Sequence, residues 1–389
     1  MGRSPPKRKQ TMARKSAKTS AKTEKKVKVR SDPLREYAEA MREQGIATVS
    51  HLADDEATCN IRGRISTGSL ALDRILRNPM EPAGWAGIPM GRVTEIYGPP
   101  YIGKSTLADC LMGQCQKLGG VSILADTEVS RDRHYSTRLG VDLKKLQYLE
   151  FERGEMHLEN AMSVIYHSID FWGANSPDIP VLIVLDALGG TATREECEKQ
   201  LAPGEKGAQP ALAARVMHSA ARLFPDRVRG RKIAVVILNH EYEMVGGFGG
   251  GFGAKRKETY GGSGTRHLSS NRIQLYSSGV YIKASDGRQL GREVVAKVVK
   301  NRLGDPCEAR VPILHGLGIE NVYTVYEDLK DAKIIVATQG WAALNLDGEV
   351  LKFQGWSGLR QKCAEIPDLW DRLVSVWRTV AHADLHVSL

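Results

Sequence analysis

The residues Gly98-Pro99-Pro100-Tyr101-Ile102-Gly103-Lys104-Ser105 stand at the spacing G-x-x-x-x-G-K-[ST]. Glycines in such a loop let backbone N–H groups turn inward around phosphate oxygens. Lys104 supplies a point charge for the β- and γ-phosphates of a nucleotide, and the Ser105 hydroxyl suits Mg2+. Thr106 completes the lining as the chain enters a helix, whose positive amino end faces the anion. Asp186 closes an apolar run, where an unpaired carboxylate would be costly. Beside a phosphate loop it suits an outer-sphere ligand of Mg2+; the plainer reading is a strand-end Asp that caps a turn. Asp126 and Glu128 close another such run, and one carboxylate near a γ-phosphate could orient and deprotonate a water. Glu128 is the choice made here, although spacing alone does not separate it from Asp126.

These groups need a scaffold that brings strand ends together. Arg92–Tyr97, Val121–Ala125, Pro180–Leu185 and Lys232–Leu238 read as strands, and Lys104 to about Leu118 as a helix. Continuous apolar strands alternating with helices predict an α/β fold with a mostly parallel sheet covered on both faces. Ligands on such sheets sit at the carboxyl ends of the strands, where the polar residues above lie. Leu34, Tyr37, Ala38 and Met41 make a short amphipathic helix after Asp32 and Pro33, ended by Gly45. One such helix cannot bury its own stripe, so it must pack on the body or on a neighbouring subunit. Near the end of the chain, Trp370, Leu373, Val374 and Trp377 share a helix face that reads as core.

Of 389 residues, 42% are hydrophobic and 26% charged, enough to build a globular core. There is no apolar run of about 18 residues for a membrane span, and no apolar segment follows the basic start as a secretory signal would. The six cysteines form no C-x-x-C pair, which fits a reducing compartment rather than a zinc ribbon or disulfide scaffold. The net charge of +10 is uneven: residues 1–30 hold 12 Lys and Arg against Glu24 alone, while the other 359 residues hold 43 basic and 44 acidic side chains. The basic segment is expected to be a disordered tail that attracts polyanions, as a nucleic-acid arm or a localisation signal, or else merely solubilises.

Two segments interrupt the strand–helix alternation. Residues 200–211 form a short polar loop. A long one begins at 241, with six glycines from Gly246 to Gly253, then Lys255, Arg256 and Lys257, then a hinge of Gly261-Gly262-Ser263-Gly264. Phe248, Phe252 and Tyr260 lie among these glycines and charges. That mixture can follow a phosphate backbone while rings stack on bases; the bland reading is a flexible surface insert.

Ile65-Ser66-Thr67-Gly68-Ser69-Leu70-Ala71-Leu72-Asp73 and Met90-Gly91-Arg92-Val93-Thr94-Glu95-Ile96-Tyr97-Gly98-Pro99 closely resemble blocks of the RecA recombinases. So do Tyr135 to Asp142, Leu212-Ala213-Ala214-Arg215, and Lys297-Val298-Val299-Lys300-Asn301-Arg302. The five blocks keep the family's order over roughly residues 64–305. Where bacterial members carry Asn-Gln, this chain has Asn239-His240-Glu241-Tyr242-Glu243, which looks like the recombinases of large tailed phages.

The resemblance implies a RecA-like P-loop ATPase core over 63–335, a tail over 1–30, a protomer-docking helix and linker over 31–62, and a small C-terminal region over 336–389. It implies ATP and Mg2+ as cofactors, Glu128 as the catalytic glutamate, and Asp132 and Tyr135 beside the adenine. It puts His240 where a sensor couples the γ-phosphate to DNA, and makes Lys300 and Arg302 cations that reach a neighbour's ATP. Loops 200–211 and 241–264, with Arg215, would hold DNA. The implied activity is DNA-dependent ATP hydrolysis coupled to strand exchange, by a helical filament on single-stranded DNA that pairs with homologous duplex. The implied setting is a bacterial or phage-infected cytoplasm, with single-strand-binding and mediator proteins as further partners and no membrane. The alternatives are a ring helicase or DNA motor, which would need a separate amino-terminal domain; an ATP-switched DNA-coating protein; and a small-molecule P-loop kinase, in which the glycine-rich loop has no role.

Overall fold

The structure is a computed structural model. It describes residues 33–45, 60–78, 81–82, 84–199, 210–243, 257–284, 286–302, 304–338 and 340–383. It divides into two units, 1–54 and 55–389. In the first, helix α1 (Pro33–Glu43) carries Leu34 and Tyr37 as exposed side chains. The basic tail at 1–30 lies outside the described residues.

The second unit is built on a sheet of strands β1 (Val93–Gly98), β2 (Val121–Asp126), β3 (Leu146–Leu149), β4 (Val181–Asp186), β5 (Ile233–Glu243), β6 (Asn271–Lys283), β7 (Gln289–Asn301), β8 (Glu308–Leu314) and β9 (Gly318–Ile319). Their order is β9-β8-β7-β6-β1-β5-β4-β2-β3. From β6 to β3 the strands are parallel, and from β6 to β9 antiparallel. The mostly parallel sheet expected from the apolar runs is therefore present, with an antiparallel arm that the sequence pattern does not announce. In β4 all six residues are buried. Leu182 and Val184 join one core with Ile96, Leu124, Val236 and Leu238, beneath helices α2 (Leu70–Leu76) and α3 (Lys104–Lys117). Val181, Ile183 and Leu185 join the opposite core with Ile123, Val235 and Ile237. That face is covered by α5 (Leu158–Asn175) and α7 (Pro210–Val228). Period-two alternation thus loads two cores from one strand. The shorter helices α4 (Arg133–Arg138) and α6 (Arg194–Glu198) follow β2 and β4.

A third core joins α9 (Asn321–Asp331), a three-stranded antiparallel sheet spanning 335–353, α10 (Gly355–Glu365) and α11 (Leu369–Ala383). Of the expected stripe, Leu373 and Trp377 are buried in it, Val374 is also buried, and Trp370 is only partly buried against this core, while Leu369 is buried as well. This core takes in α9, which lies ahead of residue 336. Among the described residues no helix is long and apolar enough to cross a membrane.

The Ser66-to-Asp73 block is a buried knot. Asp73 accepts hydrogen bonds from Thr67 N and Thr67 Oγ1 at 2.7 Å each and from Ser66 Oγ at 2.5 Å. Burial outweighs these donors and lifts its carboxyl from an ordinary 3.8 to about 6. The folded chain therefore keeps a proton that the unfolded chain releases. That contribution is complete below pH 3.8 and is lost as pH rises towards 6 and beyond. Relative to Asp73→Asn, which cannot titrate, the protein should lose about 2 kcal/mol of stability between pH 4 and pH 7. Urea unfolding of both proteins across that range checks this; parallel profiles would mean that Asp73 does not titrate.

Candidate nucleotide site

The phosphate loop turns between β1 and α3, at the carboxyl end of the sheet's central strand. A Cβ on Gly98 would meet Leu275 O at 2.3 Å, and Gly103 adopts φ +108, so both positions require glycine. Of the residues between them, Ile102 is buried in the core, while the Tyr101 ring is 90% exposed. Tyr101 O accepts from Arg292 at 2.5 Å. Pro99 and Pro100 have no N–H, so this stretch can offer an anion only the backbone N–H groups of Tyr101, Ile102 and Gly103, rather than polar side chains.

Lys104 donates to Gly98 O at 3.1 Å and Pro99 O at 2.9 Å, and burial lowers its pKa against the pull of Asp186 and Glu128. Lys104 Nζ also lies 3.5 Å from His240 Nδ1. An ammonium can only donate, so Nδ1 accepts and Nε2 carries the proton. Nε2 then donates to Glu128 Oε1 at 2.7 Å. The structure separates the two candidate carboxylates. Asp126 is 2% exposed and accepts from the N–H groups of Glu128 and Val129 and from the Tyr148 hydroxyl. Glu128 has a side chain 31% exposed, facing His240. Gly189 leaves room for that histidine, since a Cβ there would lie 2.8 Å from His240 Cδ2.

Ser105 Oγ donates to Asp186 Oδ2 at 2.9 Å. Burial raises the pKa of Asp186, opposed by Arg131 and by the Ser105 hydroxyl. A hydroxyl and a carboxylate at the loop's mouth are hard oxygen donors that fit Mg2+. On the other side, the Tyr135 hydroxyl and Thr106 Oγ1 are 3.1 Å apart. Asp132 caps α4 through His134 N and Tyr135 N, and those N–H groups hold its carboxyl below the usual range.

Several residues proved informative that motif spacing did not single out. Asn239 donates to the buried Glu95 and to Tyr260 O, both at 2.9 Å, and accepts from His240 N. Arg272 pairs with Glu95 at 2.5 Å. A charged residue inside the apolar run Val93-Thr94-Glu95-Ile96 was the available signal for this network. Arg131, which pairs with Asp109 and Asp186, carried no such signal.

Expectations for the DNA loops need correction. Residues 200–209, Gly246, Phe248, Phe252, Lys255 and Arg256 lie outside the described residues. Residues 210 and 211 belong to α7, and Arg215 is exposed on that helix. The long loop does not extend to 264. The chain re-forms a strand at Lys257–Thr259, paired with Glu241–Glu243, and Lys257 meets Glu241 at 3.2 Å. Gly261 and Gly262 open helix α8 (Gly262–Leu268) rather than a hinge, and a Cβ on Gly264 would strike His218 N on α7 at 2.6 Å. Tyr260 packs against the core instead of standing free to stack on a base.

Lys300 and Arg302 do not reach this chain's own loop. Lys300 pairs with Arg272 in the β7–β6 register, and Asn301 with Asn271, which lies beside Thr94 at the amino half of β1. Lys300 Nζ donates to Arg266 O and Ser269 O, 2.6 Å each, and so caps the end of α8. Burial lowers its pKa. Arg302 is exposed and, with Arg92, Phe224, Arg229 and His267, lines a cavity of ≈570 Å³.

The phosphate loop, the strand-end carboxylates and the five-block order meet in one further finding: the model of the RecA N-terminal domain family matches residues 36–320. The chain belongs to the RecA family. It is 31% identical over 311 residues to Protein RecA of Delftia acidovorans, covering 79% of this chain and 77% of that protein. It is 31% identical over 310 residues to Protein RecA of Aquifex aeolicus, covering 79% and 81%. RecA membership places the chain among ATPases of DNA recombination and repair.

Proposed function

We propose that the chain is an ATP-dependent homologous recombinase that forms a helical filament on single-stranded DNA and pairs it with a homologous duplex. The observation that supports this most is the hydrogen-bonded line Lys104–His240–Glu128, joined through Asn239 to Tyr260 at the foot of the glycine-rich segment. It links a phosphate-sensing lysine and a water-activating carboxylate to the segment assigned to DNA. A γ-phosphate competes for Lys104 and His240, and Glu128, relieved of its histidine, accepts a proton from the attacking water. Ser105 and Asp186 would hold Mg2+, which supplies charge neutralisation to the phosphates when bound. Tyr135, Thr106 and Asp132 form the adenine side.

Arg302, far from its own loop, serves the neighbouring protomer, and Lys300 fixes the helix behind the DNA segment. Leu34 and Tyr37 of α1 dock on the next protomer. Arg215, the segments 200–209 and 244–256, and the foot residues Lys257, Gly261 and Gly262 form the DNA side. The tail at 1–30 and the region from 336 are assigned to auxiliary contacts. Further partners are single-strand-binding and mediator proteins, in a bacterial or phage-infected cytoplasm. His240 in place of glutamine favours the phage branch.

Electron microscopy with single-stranded DNA and a non-hydrolysable ATP analogue tests the proposal. Continuous helical filaments that require the nucleotide are expected, with DNA affinity falling steeply as salt rises. Closed rings would favour a helicase on the same core, and neither form would overturn the reading.

A further inference from the structure

Arg131 sits one residue before the cap of α4, and its side chain is 10% exposed. Its guanidinium has three anchors beside the phosphate loop. Nη1 donates to Asp109 Oδ1 at 2.5 Å and to Ser105 O at 3.1 Å, and Nη2 to Asp186 Oδ2 at 2.7 Å. Nε is buried with no hydrogen-bond partner among the described residues. Asp109 lies four residues after Ser105 on α3, on the same helix face, and its other oxygen accepts from Ser136 at 3.1 Å. The fork therefore draws Asp186 from one side and is itself held from the other by Asp109. The oxygen of Asp186 that receives the Ser105 hydroxyl also receives the guanidinium.

A cation already fixed on that oxygen has consequences for a second cation. Were Ser105 and Asp186 to hold Mg2+, the ion would share its carboxylate with the Arg131 charge and hydrogen-bond donor. The donor cannot be lost by deprotonation, because guanidinium stays charged. Removing it leaves a buried carboxylate that seeks a new counter-charge.

We propose that Arg131 is a positioning residue that holds Asp186 and sets how much Mg2+ the nucleotide site demands, with Asp109 as the counterweight that keeps the guanidinium from closing fully on Asp186. The inference rests on the nucleotide-site reading above. It gives two substitutions opposite signs. In Arg131→Leu the competitor is gone, so the free Mg2+ needed for half-maximal binding of nucleotide falls. In Asp109→Asn the guanidinium loses its second carboxylate and leans on Asp186, so the requirement rises.

The test uses the full chain and a fluorescent ADP analogue, titrated at fixed pH over a range of free Mg2+, with melting temperatures measured alongside. The expected result is a midpoint about tenfold lower for Arg131→Leu, the equivalent of one charge-assisted hydrogen bond, and a higher one for Asp109→Asn. A purely structural role would lower the melting temperature of both variants and leave both midpoints at the wild-type value, and that outcome overturns the inference. Shifts of the same sign in both variants also overturn it. Should Arg131→Leu not fold, the direction of the Asp109→Asn shift decides alone. Wild-type protein that binds the analogue at no Mg2+ concentration would instead bring down the nucleotide-site reading itself.

Discussion

Glu128→Gln is expected to lower ATP turnover on single-stranded DNA by about 10³-fold while nucleotide binding and filament formation persist. Glutamine keeps the volume and can still accept a hydrogen bond from His240 Nε2, so the line to Lys104 survives. What disappears is the ability to take a proton. Asp126 cannot substitute, because both of its oxygens are engaged and its side chain is buried. Steady-state turnover beside equilibrium binding of an ATP analogue separates the two effects. A fall in binding with turnover per bound nucleotide unchanged would make Glu128 a ligand rather than a base, and unchanged turnover would remove it from the reaction.

How far the sequence reveals this site depends on what each residue is buried against. The phosphate loop is legible because its chemistry demands fixed residues at fixed spacing. The central strands are legible because burial on both faces turns them into unbroken apolar runs, such as Val181 to Leu185. The antiparallel arm is not, because β6 and β7 alternate buried residues with polar or charged ones that face solvent, and such runs resemble surface loops. The foot of the glycine-rich segment is misjudged for the same reason: Glu241 and Lys257 read as loop charges, yet they pair diagonally across a two-stranded ribbon. Arg131 lies in the polar run Ser130-Arg131-Asp132-Arg133, and only the fold brings Asp109 and Asp186 to it. Lys300 reads as a solvated strand-end charge or a trans-acting cation. The structure adds a third use, a cap on the helix that follows the glycine-rich segment.

That cap shifts the weight of the intersubunit proposal onto Arg302, and Arg302→Ala is expected to lower DNA-dependent ATP turnover by about 10³-fold, as the loss of a trans-acting cation does. Arg302 is exposed beside the cavity at the amino end of β1, whereas the phosphate loop leaves the carboxyl end of that strand. Within one chain the arginine therefore lies at the opposite end of β1 from the phosphate loop, and under the proposed function the neighbouring protomer would supply its target. In the proposed filament, a repeated head-to-tail contact would do this at every junction. The arrangement makes a mixing experiment decisive. Glu128→Gln chains keep Arg302, and Arg302→Ala chains keep Glu128, so neither hydrolyses ATP well alone. In a random equimolar filament, about a quarter of the junctions join an intact Glu128 on one protomer to an intact Arg302 on the next. Turnover should recover to about that fraction of the wild-type rate. If Arg302 served its own chain, both parents would remain defective in the mixture and no recovery would occur. The same junction count predicts that recovery vanishes when both substitutions are placed in one chain and mixed with either parent, because no intact pair can then form.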